Sequence, residues 1–391
     1  MAADPSQVPT VRVSRKGADR IANGHPWIYA SDVIDRAAAA PGDVVKVSDP
    51  RGKLLGVAHY SSTSEITLRL LSTKIEPIDD GFYRRRIEAA AAYRKRAVQN
   101  TDAYRAVHAE GDLLPALIVD RYGDYLVAQF LNQGMDRAKE EILAALLDVY
   151  QPKGIVARND AQVRKLESLE REVRVVNGEV PEVVRDIEMN GLRWQVDLIH
   201  GQKTGIFLDQ RENYAAAARW ARGRALDCFT CTGGFALHLA RVCESVEAVD
   251  SSEAALVTAA ANAEANAITN LKFREADAFD FLRGMGQKYD TIVLDPPAFA
   301  KTRKQVDTAL TAYKDINLRA LRLLNPGGVL VTNSCSHHVS EADLFETVAA
   351  AALDCGKTLR VLERRAQAAD HPILLTVPET LYLKCLIFEL V

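Results

Sequence analysis

Short alternating runs open the chain. Within residues 9–71, Val11-Arg12-Val13, Asp43-Val44-Val45-Lys46-Val47, Leu54-Leu55-Gly56-Val57-Ala58 and Ile66-Thr67-Leu68-Arg69-Leu70-Leu71 are divided by turn residues and predict a small β domain. The period-two pattern of the last run predicts one buried face and one wet face. From residue 81 or 82 to 98 the spacing becomes helical, with alanine-rich Glu88-Ala89-Ala90-Ala91-Ala92 between Arg84-Arg85-Arg86 and Arg94-Lys95-Arg96. Residues 104–184 then read as strands at Leu117-Ile118-Val119-Asp120, Tyr125-Leu126-Val127-Ala128-Gln129-Phe130 and Gly154-Ile155-Val156-Ala157, with a helix over 136–149. Asn190-Gly191 predicts a two-residue hairpin turn within 187–197. Beyond it, strands over 224–227, 245–250, 271–274, 291–295 and 328–332 alternate with helices, and a last pair covers 359–362 and 381–390. This is the pattern of a doubly wound α/β sheet with an antiparallel edge. The chain thus divides into a small β domain over residues 1–75, a small central α/β domain with a basic linker helix over 76–185, and the doubly wound domain over 186–391.

The bulk properties narrow the class. A chain of 391 residues predicts two or three domains, and 48% hydrophobic with 26% charged residues is ordinary globular composition. No apolar run reaches membrane-spanning length, and Met1-Ala2-Ala3-Asp4-Pro5 is not a basic segment followed by an apolar core, so the expected location is the cytoplasm, with no membrane partner. All six cysteines, Cys228, Cys231, Cys243, Cys335, Cys355 and Cys385, fall in the second half, which predicts reduced thiols. Cys228 and Cys231 form a Cys-x-x-Cys without a second pair or a His cluster, so no metal site is expected. A net charge of −3 gives no global attraction to nucleic acid; RNA binding would use local basic patches near the start, in the linker helix and at Lys301, Arg303 and Lys304.

The run Leu226-Asp227-Cys228-Phe229-Thr230-Cys231-Thr232-Gly233-Gly234-Phe235 reads as strand, glycine turn and helix start, the cradle of a nucleotide cofactor. It matches neither a phosphate loop nor the Gly-x-Gly-x-x-Gly of dinucleotide binders. Asp227 would repel a pyrophosphate and suit a cation, which points to S-adenosylmethionine, a ligand with an ammonium, a sulfonium and no phosphate. In such a sheet the ligand crosses the carboxyl ends of the strands. There stand Asp227, Asp250 (followed by Ser251), Asp277 (followed by Ala278) and Asp295 (followed by Pro296). Asp250 suits ribose hydroxyls and Asp277 an adenine amino group. Either one alone reads equally well as a helix cap, but four acids in order after a glycine turn do not.

Asp295-Pro296-Pro297-Ala298-Phe299 and Ser334-Cys335-Ser336-His337-His338 separate two chemistries. The first resembles the acid-proline-proline-aromatic motif of amino-group methylation, with Phe299 displaced by one place. The second puts a thiol at a strand end. Carbon five of cytosine is a poor nucleophile, so a thiolate must first add at carbon six. Cys335 suits that step, and Asp295 suits a hydrogen bond to the base. The alternatives are methylation of a base nitrogen with Cys335 as a small buried residue, or a non-catalytic RNA-binding or ribosome-assembly protein.

Across almost its whole length the chain resembles the bacterial RlmI-like 23S rRNA cytosine-5 methyltransferases. The likeness rests on His25-Pro26-Trp27-Ile28-Tyr29, Glu110-Gly111-Asp112-Leu113-Leu114-Pro115, Asp120-Arg121-Tyr122-Gly123 and His200-Gly201-Gln202-Lys203-Thr204-Gly205-Ile206-Phe207-Leu208-Asp209-Gln210-Arg211. It continues through Thr232-Gly233-Gly234-Phe235, Asp295-Pro296-Pro297, Tyr313-Lys314-Asp315-Ile316-Asn317, Ser334-Cys335-Ser336 and Ala369-Asp370-His371-Pro372. The resemblance implies an N-terminal PUA domain that binds RNA, a small central α/β domain and a C-terminal class I, Rossmann-like methyltransferase. It implies 23S rRNA or its large-subunit precursor as partner and admits a homodimer. The implied cofactor set is Lys203, Thr204, Phe207 and Gln210 with Asp227, Phe229, Thr230, Gly233, Gly234, Asp250, Ser251, Asp277, Ala278, Asp295 and Pro296. Lys16, His25, Trp27, Arg84, Arg94 and Lys301 are the expected RNA contacts. The family pattern has a lysine where this chain has Ala298. The second cysteine that follows the proline motif in other RNA cytosine-5 enzymes, where it aids product release, has no counterpart here.

Overall fold

The computed structural model describes residues 8–201, 204–284 and 286–391. They fall into two units. One holds the described residues up to Ile187 with Val196–Gly205 and Ala369–Thr380; the other holds Glu188–Gln195, Ile206–Ala368 and Leu381–Val391.

In the first unit, β1 (Thr10–Val13), β2 (Trp27–Tyr29), β3 (Val33–Asp35), β4 (Val44–Ser48), β5 (Leu54–Tyr60) and β6 (Ile66–Ser72) form a sheet in the order β2-β6-β5-β4-β1-β3. Alternate valines supply its core: Val11, Val13, Val45 and Val47 are fully buried with Ile28, Ala58 and Leu68. The expected wet face of β6 is not wet. Thr67 and Arg69 are buried as well as Leu68, and the Arg69 guanidinium pairs with Glu167, a fully buried carboxylate 2.9 Å away. A buried charge survives only when paired, and this partner comes from a distant segment that the local pattern does not announce.

The same unit contains a second sheet, β11-β10-β9-β8-β7, built from β7 (Ala103–His108), β8 (Leu117–Tyr122), β9 (Tyr125–Phe130), β10 (Gly154–Asn159) and β11 (Glu172–Gly178). Only the β9–β10 pair is parallel among its four pairings, and the helix Lys139–Tyr150 lies in the crossover between them. That helix and Asp80–Ala97 share one core, through Phe82, Tyr83, Ile87, Ile142 and Leu146, with Val119, Leu126 and Phe130 of the sheet. The helix expected over 136–149 is two pieces, Gln133–Arg137 and Lys139–Tyr150. Asn132 starts the first by accepting the Met135 N–H at 2.7 Å, and the break falls at Ala138.

Strands β12 (Val184–Met189) and β13 (Leu192–Val196) make the expected hairpin. Asn190 and Gly191 both have positive φ, 55° and 72°, as its two-residue turn requires.

The second unit is organised on β14 (Arg224–Cys228), β15 (Ser245–Asp250), β16 (Leu271–Glu275), β17 (Tyr289–Leu294), β18 (Leu324–Ser334), β19 (Leu359–Arg365) and β20 (Lys384–Leu390), in the order β16-β15-β14-β17-β18-β20-β19. The first five are parallel and β20 runs antiparallel to both of its neighbours. Ile292, Leu294 and Leu330 of the sheet pack with Ile316 and Ala320 of the helix Val306–Leu323 and Leu344 and Val348 of Glu341–Asp354. Strand order reverses beside β14, which is where such sheets open a ligand crevice at their carboxyl edge. Strand β18 begins at Leu324, four residues before the expected 328, and β20 begins at Lys384 instead of 381. Among the described residues no helix is long and apolar enough to cross a membrane.

Candidate active site

At the end of β14 the chain turns sharply: Phe229, Cys231 and Gly233 have φ of 64°, 49° and 88°. Asp227 holds this turn from below. Its fully buried carboxylate accepts from Thr230 Oγ1 at 2.6 Å and from the Ala236 N–H at 2.9 Å, tying strand, turn and the helix Gly234–Ala240 together. Its second oxygen is buried and has no hydrogen-bond partner among the described residues. Burial first, then the Asp295 and Asp250 charges, push its pKa up to about 8 against the lowering by its two hydrogen bonds. Gly233 supplies the positive φ expected of it. Gly234 makes its close approach to protein: a Cβ there would lie 2.4 Å from the ring of Tyr214.

The remaining acids also take backbone partners. Asp250 accepts the Cys231 N–H at 2.8 Å and the Ser252 N–H at 2.9 Å, so it braces the turn from β15. Ser252, and not Asp250, caps the helix Glu253–Ala265; Ser251 is exposed. Asp277 accepts the Asp280 N–H at 3.1 Å in the first turn of Ala278–Gly284, the capping role weighed for it, and Ala278 packs into the core. Asp295, half-buried just past β17, accepts from Gln210 Nε2 at 2.9 Å. Gln210 in turn accepts from Asn213 Nδ2 at 2.7 Å, and Asn213 Oδ1 accepts from Arg365 Nε at 2.9 Å. Pro296 is buried. Phe229 begins an aromatic series through Phe279, Phe299 and Tyr313, with successive centroids 6.3, 5.9 and 4.7 Å apart. Phe207 is half-buried and its carbonyl accepts from Tyr214 Oη at 3.2 Å.

Cys335 is half-buried one residue beyond β18, the strand beside β17. Around it, Tyr313 Oη and Ser336 Oγ are hydrogen-bonded at 3.2 Å, and the buried Lys384 donates to the Ser336 carbonyl at 2.6 Å and the Tyr382 carbonyl at 2.9 Å. Burial pushes the Tyr313 phenol up, and the thiol of Cys335 and the carboxylate of Asp295 both add to the rise, so one ring senses both expected catalytic groups. Cys228, by contrast, is fully buried and its thiol is pushed well above the usual range. Tyr214, Tyr313 and Lys384 lie among these groups without being among the expected site residues. Lys384 carried a signal, being a lone cation in the apolar run Leu383-Lys384-Cys385-Leu386-Ile387.

Other expected residues fall elsewhere. Lys203 lies outside the described residues. Thr204 belongs to the first unit, where its hydroxyl donates to Asp120 Oδ2 at 2.5 Å and lies 3.3 Å from Tyr122 Oη. Arg94 is corrected: it is 2% exposed, not a surface contact. Its guanidinium donates to the Arg105 and Asp370 carbonyls, both at 2.8 Å, and pairs with Asp112, so its charge is consumed inside the fold. Lys16 is exposed beside Asp32, and Arg84 is exposed and paired to Glu88 and Asp148. Lys301 is exposed. Trp27 donates from its indole to Glu110 at 2.9 Å and from its backbone to His25 Nδ1 at 3.2 Å, while His25 Nε2 lies 3.1 Å from Glu379.

Residues 11–73 match the family described as a PUA-like domain, and residues 221–369 match a methyltransferase domain family. The chain is 42% identical to ribosomal RNA large subunit methyltransferase I of Tolumonas auensis, over 97% of this chain and 98% of that protein. It is 40% identical to the protein of the same name from Vibrio cholerae, over 94% and 96%. A SAM-dependent methyltransferase structure from Streptococcus mutans shares the fold with a TM-score of 0.83 at 21% identity, over 98% of this chain and 100% of that one. A methyltransferase solved with SAH does so at 0.85, with the same identity and coverage. With a relative this similar along nearly its full length, the PUA-like and Rossmann-like parts and the strand-end site have one common account: the chain belongs to the ribosomal RNA large subunit methyltransferase I family and uses S-adenosylmethionine as its cofactor.

Proposed function

We propose that this chain methylates carbon five of a cytosine in 23S rRNA or its large-subunit precursor, with Cys335 as the nucleophile. One observation carries the reading: a half-buried thiol follows the end of β18 and the half-buried Asp295 follows the end of its parallel neighbour β17, with Tyr313 sensing both. The names of the relatives support ribosomal RNA as the acceptor. The donor suits the site, since the buried unpartnered oxygen of Asp227 and the half-buried Asp250 favour a cationic ligand over a phosphate. Asp227, Gly233, Asp250, Asp277 and Phe207 would hold it. When bound, S-adenosylmethionine supplies an electrophilic methyl group.

The thiolate of Cys335 forms a bond to carbon six, and the C5=C6 π pair shifts onto carbon five, giving the base the nucleophilic carbon it lacks. Asp295, held by Gln210, hydrogen-bonds the base edge and keeps the adduct in register. After methylation a base removes the carbon-five proton, its electron pair restores C5=C6, and the S–C6 bond breaks to return the thiolate. The cytosine must be unpaired or flipped, because stacking hides carbon six. Exposed Lys16, Arg84 and Lys301 are the RNA contacts of this reading.

Tritiated methyl transfer to rRNA from a strain lacking the endogenous enzyme, followed by nucleoside analysis, should yield 5-methylcytidine. Cys335→Ala should abolish it while S-adenosylmethionine still binds in calorimetry. Methyl on a base nitrogen, or wild-type activity in Cys335→Ala, would remove the thiol mechanism.

A further inference from the structure

Lys384 is a buried cation without a carboxylate. It is 5% exposed in the middle of an apolar strand, and among the described residues no Asp or Glu lies within ion-pair distance of it. An ammonium has three donors, and only two are used, on the carbonyls of Ser336 and Tyr382. Taking such a charge out of water is costly unless an anion compensates it. Register fixes what stands beside it. Strand β20 pairs Lys384 with Ser334 of β18, while the ammonium binds the carbonyl of Ser336, so Cys335 is bracketed on both sides.

We propose that Lys384 is a positioning residue that holds Cys335 as a thiolate in the resting enzyme, the thiolate being the counter-charge that the fold otherwise omits. The thiol proton leaves to solvent and Lys384 keeps its own. Cys335 is the foremost charge acting on Lys384, ahead of Asp343 and Glu341 in the first turn of Glu341–Asp354. Cys335 and Asp295 both act on the Tyr313 phenol; His337, tilted against Tyr382 with ring centroids 5.6 Å apart, and the exposed His338 follow Cys335 in the chain. Burial lowers Lys384 to about 8, so it remains mostly cationic at neutral pH and loses its hold above that. The idea rests on Cys335 being the nucleophile of the proposed reaction, but its test needs neither RNA nor turnover.

Full-length protein is alkylated with iodoacetamide from pH 5 to 10, and the modified Cys335 peptide is followed by mass spectrometry. The wild-type rate should have its midpoint about a unit or more below the ~8.5 of an ordinary thiol. Lys384→Met should slow Cys335 alkylation at pH 7 by about tenfold or more, the equivalent of a one-unit shift. Lys384→Arg, which keeps the charge, should restore the low midpoint. An ordinary wild-type midpoint overturns the proposal, and that measurement stands even where Lys384→Met fails to fold. An unchanged profile in a folded Lys384→Met does the same. Wild-type methylation by Cys335→Ala would instead remove the thiol mechanism, a result the alkylation profile does not depend on.

Discussion

Replacing Asp227 by Asn tests whether burial controls the turn that carries the cofactor site. The carboxyl titrates near 8 in the folded chain and near 3.9 in an unfolded one. A group that holds its proton more tightly when folded contributes fully below the unfolded value, and that stability is lost as pH rises towards 8. Each unit is worth about 1.36 kcal/mol, so the wild type forfeits up to about 4 kcal/mol between pH 4 and pH 7. Full burial means no discount for solvent, although relaxation of the site makes this an upper figure. Asparagine keeps one oxygen to accept from Thr230 and Ala236 and cannot ionise. Thermal unfolding of the cofactor-free protein at pH 5, 6, 7 and 8 should therefore show Asp227→Asn gaining on the wild type by about 3–5 °C per pH unit, taking ~2–4 °C per kcal/mol for a unit of 150–250 residues. A cation beside the carboxylate reverses the balance. Wild-type affinity for S-adenosylmethionine should climb from pH 6 to 8, and the variant's should stay flat. Parallel melting curves across the pH series would refute the burial argument.

Gly234→Ala, whose Cβ would meet the buried Tyr214 ring, should lose about 1–3 kcal/mol in denaturant unfolding and weaken cofactor binding, with Tyr214→Leu recovering part of the stability. Glu167→Ala strands the buried Arg69 charge and should cost about 3–5 kcal/mol by urea denaturation; a loss below 1 kcal/mol would mean that water reaches the pair. His238 is buried, donates from Nδ1 to the Gly234 carbonyl at 2.7 Å and accepts from Asn190, and burial holds it down at about 4. Its neutral form is the folded one, so its stability is whole above 6.5 and drains as pH falls towards 4; the difference between wild type and His238→Gln should shrink by about 1.4 kcal/mol per unit across that window, read by urea denaturation.

The strand ends were legible because a parallel sheet encodes them locally: an apolar run stops, and an acid or a thiol follows. Asp227, Asp250, Asp295 and Cys335 each follow or end such a run at the carboxyl edge, whereas Asp277 stands two residues past the mixed, charged strand β16. What the acids bind was less legible, since backbone N–H groups compete for a carboxylate as well as any ligand does, and Asp277 is engaged by the helix it precedes. Charged residues were misjudged where the deciding partner is remote. Arg69 meets a carboxylate 98 positions away, and Arg94 meets a carbonyl 276 positions away. No window of sequence distinguishes such a side chain from one on a solvated face. Lys384 differs, because a cation in an unbroken apolar strand already signals a hidden partner.

The segment Ala369–Thr380 leaves the second unit after β19 and belongs to the first, before the chain returns as β20. Its Asp370 accepts the Arg105 N–H at 2.8 Å and lends its carbonyl to Arg94. During synthesis on a ribosome, the first unit therefore waits for a clasp that emerges only after β14 to β19 of the second unit have been made. Until then one Arg94 donor and the Arg105 N–H lack the acceptors that Asp370 brings, although Arg94 already has Asp112 and the Arg105 carbonyl, so the first unit is completed only after that segment joins it. A fragment ending at residue 187 would leave the ribosome with those two bonds still open.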